Sequence, residues 1–454
     1  MKTFFSTLWE KLRSNYWFVP TIMAVSATAF SFLTIHLDGV INAKWARTAG
    51  WLWAGGPEGA RSVLSTIAGS TITVAGVVFS ITIVALTLAS SQFGPRLLRN
   101  FMSDRGTQIV LGVFVSTFLY CLLVLRTVRG IDTVTVIPFL SVTCGILFGV
   151  ASVGFLIYFI HHVPTSILAG TILGRVATEL QSSIDRLYPE KYDADSEAEE
   201  TPRLPDNFEK EACLIRSKES GFIEAIADED LVKFAAEEKL VIRMRRRPGD
   251  FVADGSALAE VWPADRCDEE TAEHYRRSYF FGWHRTPTQD IEYAIDQLVE
   301  VAVRALSPGI NDPFTAMTCL EWLGAALIQV GGRRIPSRYL YDEAGELRVV
   351  ADTTDFAGIA ASALNQIRQY GASSVGVVVL MLDMLARVAA ELPRAEDRET
   401  LLGHAERIHH DGMSAAKNES DRHDIAEGFA RAQRALTTVP LGANDQRRIF
   451  SGSA

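Results

Sequence analysis

The sequence predicts an integral membrane α-helical protein: four transmembrane helices, then a cytoplasmic α+β portion with a small β-barrel or sandwich module and a mainly helical domain. The first observation behind this prediction is that four long apolar runs occupy the first third of the 454 residues. The second is charge. Residues 1–163 carry 11 Lys/Arg against 5 Asp/Glu, whereas residues 164–454 carry 33 against 49. The acidity of the larger portion argues against nucleic acid as a partner.

The four predicted spans cover about residues 17–37, 62–92, 108–125 and 137–160, within a transmembrane domain over 1–165. Runs of about 20 apolar residues match a bilayer core of about 30 Å. Basic residues precede the first span and follow the second. The positive-inside rule therefore places those segments, and with four spans both chain termini, in the cytoplasm.

The second span carries the strongest pattern. Residues 62–92 contain no charged residue, and small or hydroxyl residues recur in steps of four and three. We name this series the polar seam: Ser62, Thr66, Gly69, Thr73, Gly76, Ser80, Ile83, Thr87, Ser90 and Gly94. A strict seven-residue repeat drifts by ~20° per heptad on a straight helix, which favours left-handed supercoiling against another helix.

Two interpretations of the polar seam stay open from the sequence. Small residues let helices approach closely, and buried hydroxyls bond back to carbonyls one turn away. Alternatively, the seam lines the pore of a ring-shaped homo-oligomer that conducts ions, with an apolar constriction as its gate. The candidate pore-lining residues are Thr66, Gly69, Thr73, Gly76, Ser80, Ile83, Thr87 and Ser90; the gate candidates are Phe79 and Ile83; Arg96 and Arg99 mark the cytoplasmic mouth.

The cytoplasmic portion divides by composition. We expect a helix and acidic linker over 166–210, a small β-rich module over 211–263, a mainly helical domain over 268–440 and a flexible tail over 441–454. Within the helical domain, Asp290, Asn311 and Asp312 are candidates for a cation or ligand site, since oxygen ligands suit a hard cation such as Ca²⁺. Helix capping explains the same residues without a ligand.

Two motifs resemble a known family. They are AGSTITVAGVVFSITIVALTLASSQFGPR over 68–96 and RTPTQDIEYAIDQLVEVAVRALSPGINDPFTA over 285–316. Both are similar to the bacterial predicted-membrane-protein family defined by domain of unknown function 2254. The resemblance implies a multi-pass protein of the bacterial inner membrane with this two-part layout. It implies no reaction.

The sequence contains no dinucleotide-binding, P-loop or nucleophile-elbow motif, so we expect neither an enzyme nor a cofactor. Its five cysteines are widely spaced and odd in number, which favours reduced thiols over a disulfide framework. We therefore predict a channel-like homo-oligomer in the lipid bilayer, whose cytoplasmic portion gates or senses. The alternative is a membrane-anchored scaffold or sensor that does not conduct.

Overall fold

The computed structural model describes residues 16–40, 56–94, 104–131, 134–136, 138–193 and 202–438. The chain divides into two compact units, Met1–Ile172 and Leu173–Ala454. The described residues of the first unit are helical apart from one short hairpin, and those of the second combine two β-sheets with helices.

Four long helices form the first unit. They are α1 (Phe18–Val40), α2 (Pro57–Phe93), α3 (Arg105–Leu125) and α4 (Phe139–Ser166), with β1 (Arg129–Ile131) and β2 (Val134–Val136) pairing as an antiparallel hairpin between α3 and α4. Helix α3 packs against each of the other three. All four helices are long and apolar enough to cross a membrane.

The helix bounds agree with the predicted spans to within a few residues, except at α4. We expected the fourth span to end at about residue 160, but α4 continues through Pro164 to Ser166. The hydroxyls of Thr165 and Ser166 donate to carbonyls of the same turn, so that turn keeps hydrogen bonds although proline has no N–H. Helix α2 ends as predicted before Pro95, with Gly94 at its C-cap.

Glycines let the helices of the first unit approach closely. A Cβ on Gly112 would lie 2.5 Å from the Met23 sulfur of α1, and a Cβ on Gly145 would lie 2.8 Å from Leu64 of α2. Large apolar side chains fill the remaining space, with Tyr120 buried in one cluster and Phe114 in another. The small-residue steps of the third and fourth spans therefore serve helix packing, as predicted.

Polar contacts tie the helix ends together. Asp38 of α1 accepts hydrogen bonds from the backbone N–H groups of Leu140, at 2.8 Å, and Ser141, at 2.9 Å, and so caps α4. At the opposite end of α4, His162 Nε2 lies 2.7 Å from Oδ2 of Asp104, the N-cap of α3. Each end of α4 is thus fixed to a different helix.

The second unit contains two β-sheets. Its strands are β3 (Cys213–Arg216), β4 (Gly221–Ile226), β5 (Val241–Met244), β6 (Phe251–Val252), β7 (Ala257–Trp262), β8 (Tyr279–Gly282), β9 (Tyr339–Tyr341) and β10 (Leu347–Val350). The five-stranded sheet has the order β3-β7-β5-β10-β9, and the three-stranded sheet has the order β6-β4-β8. Among the strand pairs that the structure describes, only β10–β5 is parallel.

Strands from outside the predicted module complete both sheets. We expected the β-rich region to end at residue 263, but β8 joins the smaller sheet, while β9 and β10 join the larger one. Strands β9 and β10 form an antiparallel hairpin, with Gly345 in its turn at φ 81°. Its docking beside β5 depends on a contact about 100 residues away in sequence, which no local pattern reveals.

Ten helices are described in the second unit. They are α5 (Ala169–Leu187), α6 (Phe208–Glu211), α7 (Asp228–Glu237), α8 (Glu269–Arg277), α9 (Ile291–Ala305), α10 (Pro313–Gly331), α11 (Phe356–Gly371), α12 (Val375–Glu391), α13 (Ala395–Ala415) and α14 (Glu419–Thr437). Helix α10 also meets the length and apolarity of a membrane span. It packs against α9 and α12, where Gly324 admits the side chain of Met384.

One cysteine pair corrects the expectation of reduced thiols. Cys213 and Cys267 are joined in a disulfide, with their Cα atoms 6.5 Å apart. Antiparallel pairing explains the proximity: the first residue of β3 lies beside Val261 near the end of β7, and Cys267 follows soon after. Cys121, Cys144 and Cys319 are free thiols.

Candidate functional site

The polar seam lies on an exposed face of α2. From Ser62 to Thr87 each of its residues is exposed, and Ser90 is partly buried. The predicted pore-lining residues thus share one face along about six turns. Exposed apolar side chains flank them, namely Ile72, Val77, Ile81, Val84 and Leu88.

The opposite face of α2 packs inside the first unit. Its buried residues also follow steps of four and three: Ala60, Leu64, Ala68, Thr71, Ala75, Val78 and Thr82. Up to Ile83, each seam residue follows a buried one by one or two positions. At 3.6 residues per turn this is a rotation of ~100–200°, so two heptad stripes face nearly opposite directions.

The seam glycines of α2 differ from the glycines of α3 and α4 that contact neighbouring helices. Among the described residues, a Cβ built on Gly69 or Gly76 meets nothing within 4 Å, whereas one on Gly112 or Gly145 would collide with a side chain of another helix. Packing inside the chain therefore accounts for Gly112 and Gly145 and leaves Gly69 and Gly76 unexplained.

The seam hydroxyls bond back to their own helix. Thr73 Oγ1 donates to the Gly69 carbonyl at 2.8 Å, and Ser80 Oγ donates to the Gly76 carbonyl at 2.9 Å. Thr66 and Thr87 repeat this arrangement with carbonyls four residues earlier. Because the hydroxyl proton is used, the lone pairs of each oxygen stay available, and the exposed surface of the seam is a row of acceptors.

The two gate candidates occupy different surroundings. Ile83 lies on the polar seam and is 45% exposed. Phe79 is 47% exposed and borders an apolar groove of ≈470 Å³ between α1 and α3, lined also by Tyr16 and Leu111. Of the two, Ile83 is the one aligned with the candidate pore-lining residues. Arg96 and Arg99, proposed for the cytoplasmic mouth, lie outside the described residues.

The structure does not bring Asp290, Asn311 and Asp312 together. Asp290 caps the N-terminus of α9, accepting from Tyr293 N at 3.0 Å, whereas Asp312 follows that helix and caps α10. The 15 residues of α9 separate them by ~22 Å at about 1.5 Å per residue. In the described part of the chain, no group of three or more His, Cys, Asp or Glu side chains is arranged to hold a metal ion.

Asp290 instead anchors α9 through Arg285. The Arg285 guanidinium donates to both Asp290 oxygens and to Asp296 at 2.7 Å. Burial alone would lower the pKa of Arg285, but its hydrogen bonds with Asp290 raise that pKa above the usual value. Gly249, at φ 96°, lies so close that a Cβ there would collide with the Asp290 carboxylate.

Further contacts of the second motif hold α9 to the sheets. The Gln289 amide bonds both backbone groups of Ile226 in β4, at 2.7 and 3.0 Å. Arg247 donates to Glu292 at 2.8 Å, and burial raises the pKa of that carboxyl while Arg247 partly offsets the rise. Sequence reasoning missed these partners, although the run of arginines over 243–247 signalled that acidic partners were needed.

Comparison with known proteins agrees with this layout. The family model described as predicted membrane protein (DUF2254) matches residues 13–387. Uncharacterized proteins from two strains of Mycobacterium tuberculosis and from Mycobacterium bovis are 32% identical to the chain over 432 residues, covering 93% of it and 81% of each relative. No solved structure matches significantly. The chain is therefore a multi-pass membrane protein and belongs to the DUF2254 family of predicted membrane proteins.

Proposed function

We propose that the protein is a homo-oligomeric channel of the bacterial inner membrane. Helices α1–α4 are its four spans, α2 lines an aqueous path for ions, and the second unit lies in the cytoplasm, where it gates or senses. The charge distribution supports this orientation, because basic residues flank the amino-terminal side of α1 and the carboxyl-terminal side of α2.

The observation that carries the proposal is the exposed polar seam. Gly69 and Gly76 have no neighbour within 4 Å at the position of a Cβ, and the hydroxyls between and beyond them face outward. Lipid alone gives no reason for such a stripe, since its chains interact as well with leucine or valine. If copies of the chain assemble with water between their seams, the small residues allow the helices to approach and the exposed oxygens accept hydrogen bonds from the water.

The length and composition of α2 also support a pore. Its 37 residues extend ~55 Å at about 1.5 Å per residue, which exceeds a bilayer core of about 30 Å. Outward oxygen lone pairs suit water and cations. Ile83 is the one large apolar residue of the seam, and a ring of such side chains can close a narrow pore by excluding water.

Thiol accessibility tests the pore directly. Thr73→Cys and Ser80→Cys are made in a chain whose five native cysteines are replaced by serine, reconstituted in membranes and treated with a charged, water-soluble thiol reagent. Val77→Cys, on the flanking apolar face of the same helix, is the matched control. We expect the two seam positions to react and position 77 to stay unmodified; equal protection of all three would contradict the pore.

Ion flux tests conduction. Purified full-length protein in liposomes should pass ions under some combination of voltage, membrane tension and divalent ions, and modification of Thr73→Cys should block that flux. Absence of flux in every condition, together with unreactive seam positions, would exclude the channel.

A membrane-anchored scaffold or sensor without conduction is the second candidate. The back-bonded hydroxyls favour it, because a hydroxyl whose proton is already used can also face a neighbouring helix at small cost. A comparison of cross-linking with thiol labelling distinguishes the two candidates. Gly76→Cys should form a disulfide between copies in both, but only the channel leaves Thr73→Cys reactive towards a charged reagent.

A further inference from the structure

Two cysteines of the second unit lie in contact at an accessible edge of the larger sheet. Cys213 begins the edge strand β3, Cys267 follows the turn after β7, and their Cα atoms are 6.5 Å apart. Protein disulfides span roughly 4.4–6.8 Å between Cα atoms. Both side chains are partly exposed, whereas Cys319, the other cysteine of this unit, is fully buried.

We propose that Cys213 and Cys267 form a site of reversible thiol oxidation that responds to the redox state of the cytoplasm. The inference rests on the cytoplasmic placement in the proposed function. Thiols in the cytosol are kept reduced, and disulfides that form there are mostly transient, catalytic or redox-sensing. A pair held in bonding position in that compartment is therefore a sensor of oxidants.

The chemistry is thiol–disulfide exchange with a low-molecular-weight disulfide, RSSR. One cysteine thiolate attacks a sulfur of RSSR, forming a mixed disulfide and releasing one RS⁻. The second thiolate then attacks the protein sulfur of that mixed disulfide, forming the Cys213–Cys267 bond and releasing the other RS⁻. The pair loses two electrons and two protons, and RSSR becomes two RSH. Excess RSH reverses both steps.

The bond can open while the surrounding fold persists. Phe208 and Ile215, on either side of Cys213, are both buried, and β3 keeps its ladder with β7. Arg243 pairs with Glu209 of α6 and with Glu260 of β7, so an ion-pair bridge spans the same edge. These contacts do not depend on the sulfur atoms.

The bond controls how firmly an edge strand is held. Among the described strands, β3 pairs only with β7, and the disulfide joins two residues that are 54 positions apart in sequence. With the thiols reduced, the start of β3 depends on that single neighbour. Oxidation therefore fastens the start of β3 to the segment that follows β7.

Counting free thiols in cells tests the proposal on the full chain. Cells are quenched in acid, the protein is denatured and every free thiol is tagged with a large maleimide that shifts gel mobility. The chain has five cysteines, of which three are free when the pair is bonded. We expect five tags per chain during normal growth, three after treatment with diamide, and five again after dithiothreitol.

Cysteine-to-serine variants identify the residues that lose their maleimide tags. Cys213→Ser and Cys267→Ser should each give four tags in every condition, which assigns the lost pair to these two residues. Labelling of the folded chain adds a check, because burial raises the pKa of Cys319 to about 12 and keeps that thiol unreactive. Five tags after diamide, or three tags during normal growth and after dithiothreitol, would overturn the proposal.

The orientation of the second unit is measured separately, so that failure of the thiol-oxidation proposal can be told apart from failure of the channel proposal. A protease cuts a cytoplasmic second unit in inverted vesicles and spares it in intact spheroplasts. Three tags throughout with cleavage in spheroplasts would refute the cytoplasmic placement as well as the sensor. A reversible change in tag number with unreactive seam positions would leave the sensor intact and refute the channel.

Discussion

Arg285 holds the carboxylate of Asp290 with two hydrogen bonds, Nε to Oδ2 at 2.7 Å and Nη2 to Oδ1 at 3.0 Å. Asp290 is only 4% exposed and also caps α9. The carboxylate is therefore a structural anchor, and the guanidinium of Arg285 already balances its negative charge.

Asp290→Asn should destabilise the second unit by about 3 kcal/mol, because it leaves a partly buried guanidinium with one matched carboxylate instead of two. Chemical unfolding of the full-length protein in detergent measures the loss. Asp312→Asn is the control: asparagine caps a helix about as well as aspartate, so it should cost under ~1 kcal/mol. Equal losses would contradict the anchoring role.

The variants Gly76→Val and Gly145→Val should distinguish an effect on self-association from an effect on the stability of the fold. Gly145 faces Leu64, so valine there must displace a packed side chain and should cost about 1–3 kcal/mol. Gly76 faces open space, so valine should leave the melting temperature of the dissociated chain unchanged and weaken self-association. Thermal melting and size-exclusion chromatography in detergent measure the two effects. A fold destabilised by Gly76→Val would indicate an unrecognised packing role.

Ile83→Ser should increase basal ion flux, because it replaces the apolar residue of the seam with a hydroxyl that water wets. Ile83→Leu keeps the constriction apolar and should preserve low flux. Phe79→Ser should change flux less than Ile83→Ser, since Phe79 borders the groove between α1 and α3. Liposome flux compares the three variants, and the order Phe79→Ser above Ile83→Ser would assign the gate to Phe79.

His404 should make the stability of the second unit depend on pH. It is 2% exposed, and burial lowers its pKa to about 4 from 6.5. At pH 7 both native and unfolded chains hold it neutral. As pH falls below 6.5 the unfolded chain binds the proton first, so stability is lost by about 2 kcal/mol at pH 5 and the loss levels off below about pH 4.

Melting of the full-length protein in detergent at pH 7 and pH 5 measures this effect. His404→Gln should reduce the decrease in melting temperature between the two pH values. The exposed His423→Gln is the matched control and should leave that decrease as in the wild type. An unchanged decrease in His404→Gln would exclude the buried histidine as its source.

The features that could be predicted from sequence depend on neighbouring residues. Hydropathy located all four helices and placed the bounds of α1–α3 to within a few residues, because a membrane span needs one continuous apolar run. Asp312 and Pro313 marked the start of α10 through the chemistry of a helix N-terminus. The polar seam was visible because its period is that of the helix itself, and the structure adds that it is exposed.

The features that escaped prediction depend on residues far apart in sequence. The β10–β5 pairing, the Cys213–Cys267 bond and the Arg247–Glu292 ion pair all require the register of folded elements. The placement of the cation-site candidates was hidden in a similar way: Asp290 and Asp312 belong to one motif in sequence, but they cap two different helices, with the length of α9 between them. A motif can be contiguous in sequence while its polar residues serve opposite ends of one helix.

The cap that Asp38 provides for α4 sets an order of events during synthesis. Its partners Leu140 and Ser141 are made 102 and 103 residues later, which at about 5–20 residues per second is a delay of roughly 5 to 20 s. Throughout that interval the carboxylate of α1 has to be hydrated at the membrane surface, because its backbone donors do not yet exist. The four helices can therefore pack together fully only after α4 has emerged from the ribosome. Until then the Asp38 carboxylate lacks the backbone donors of α4.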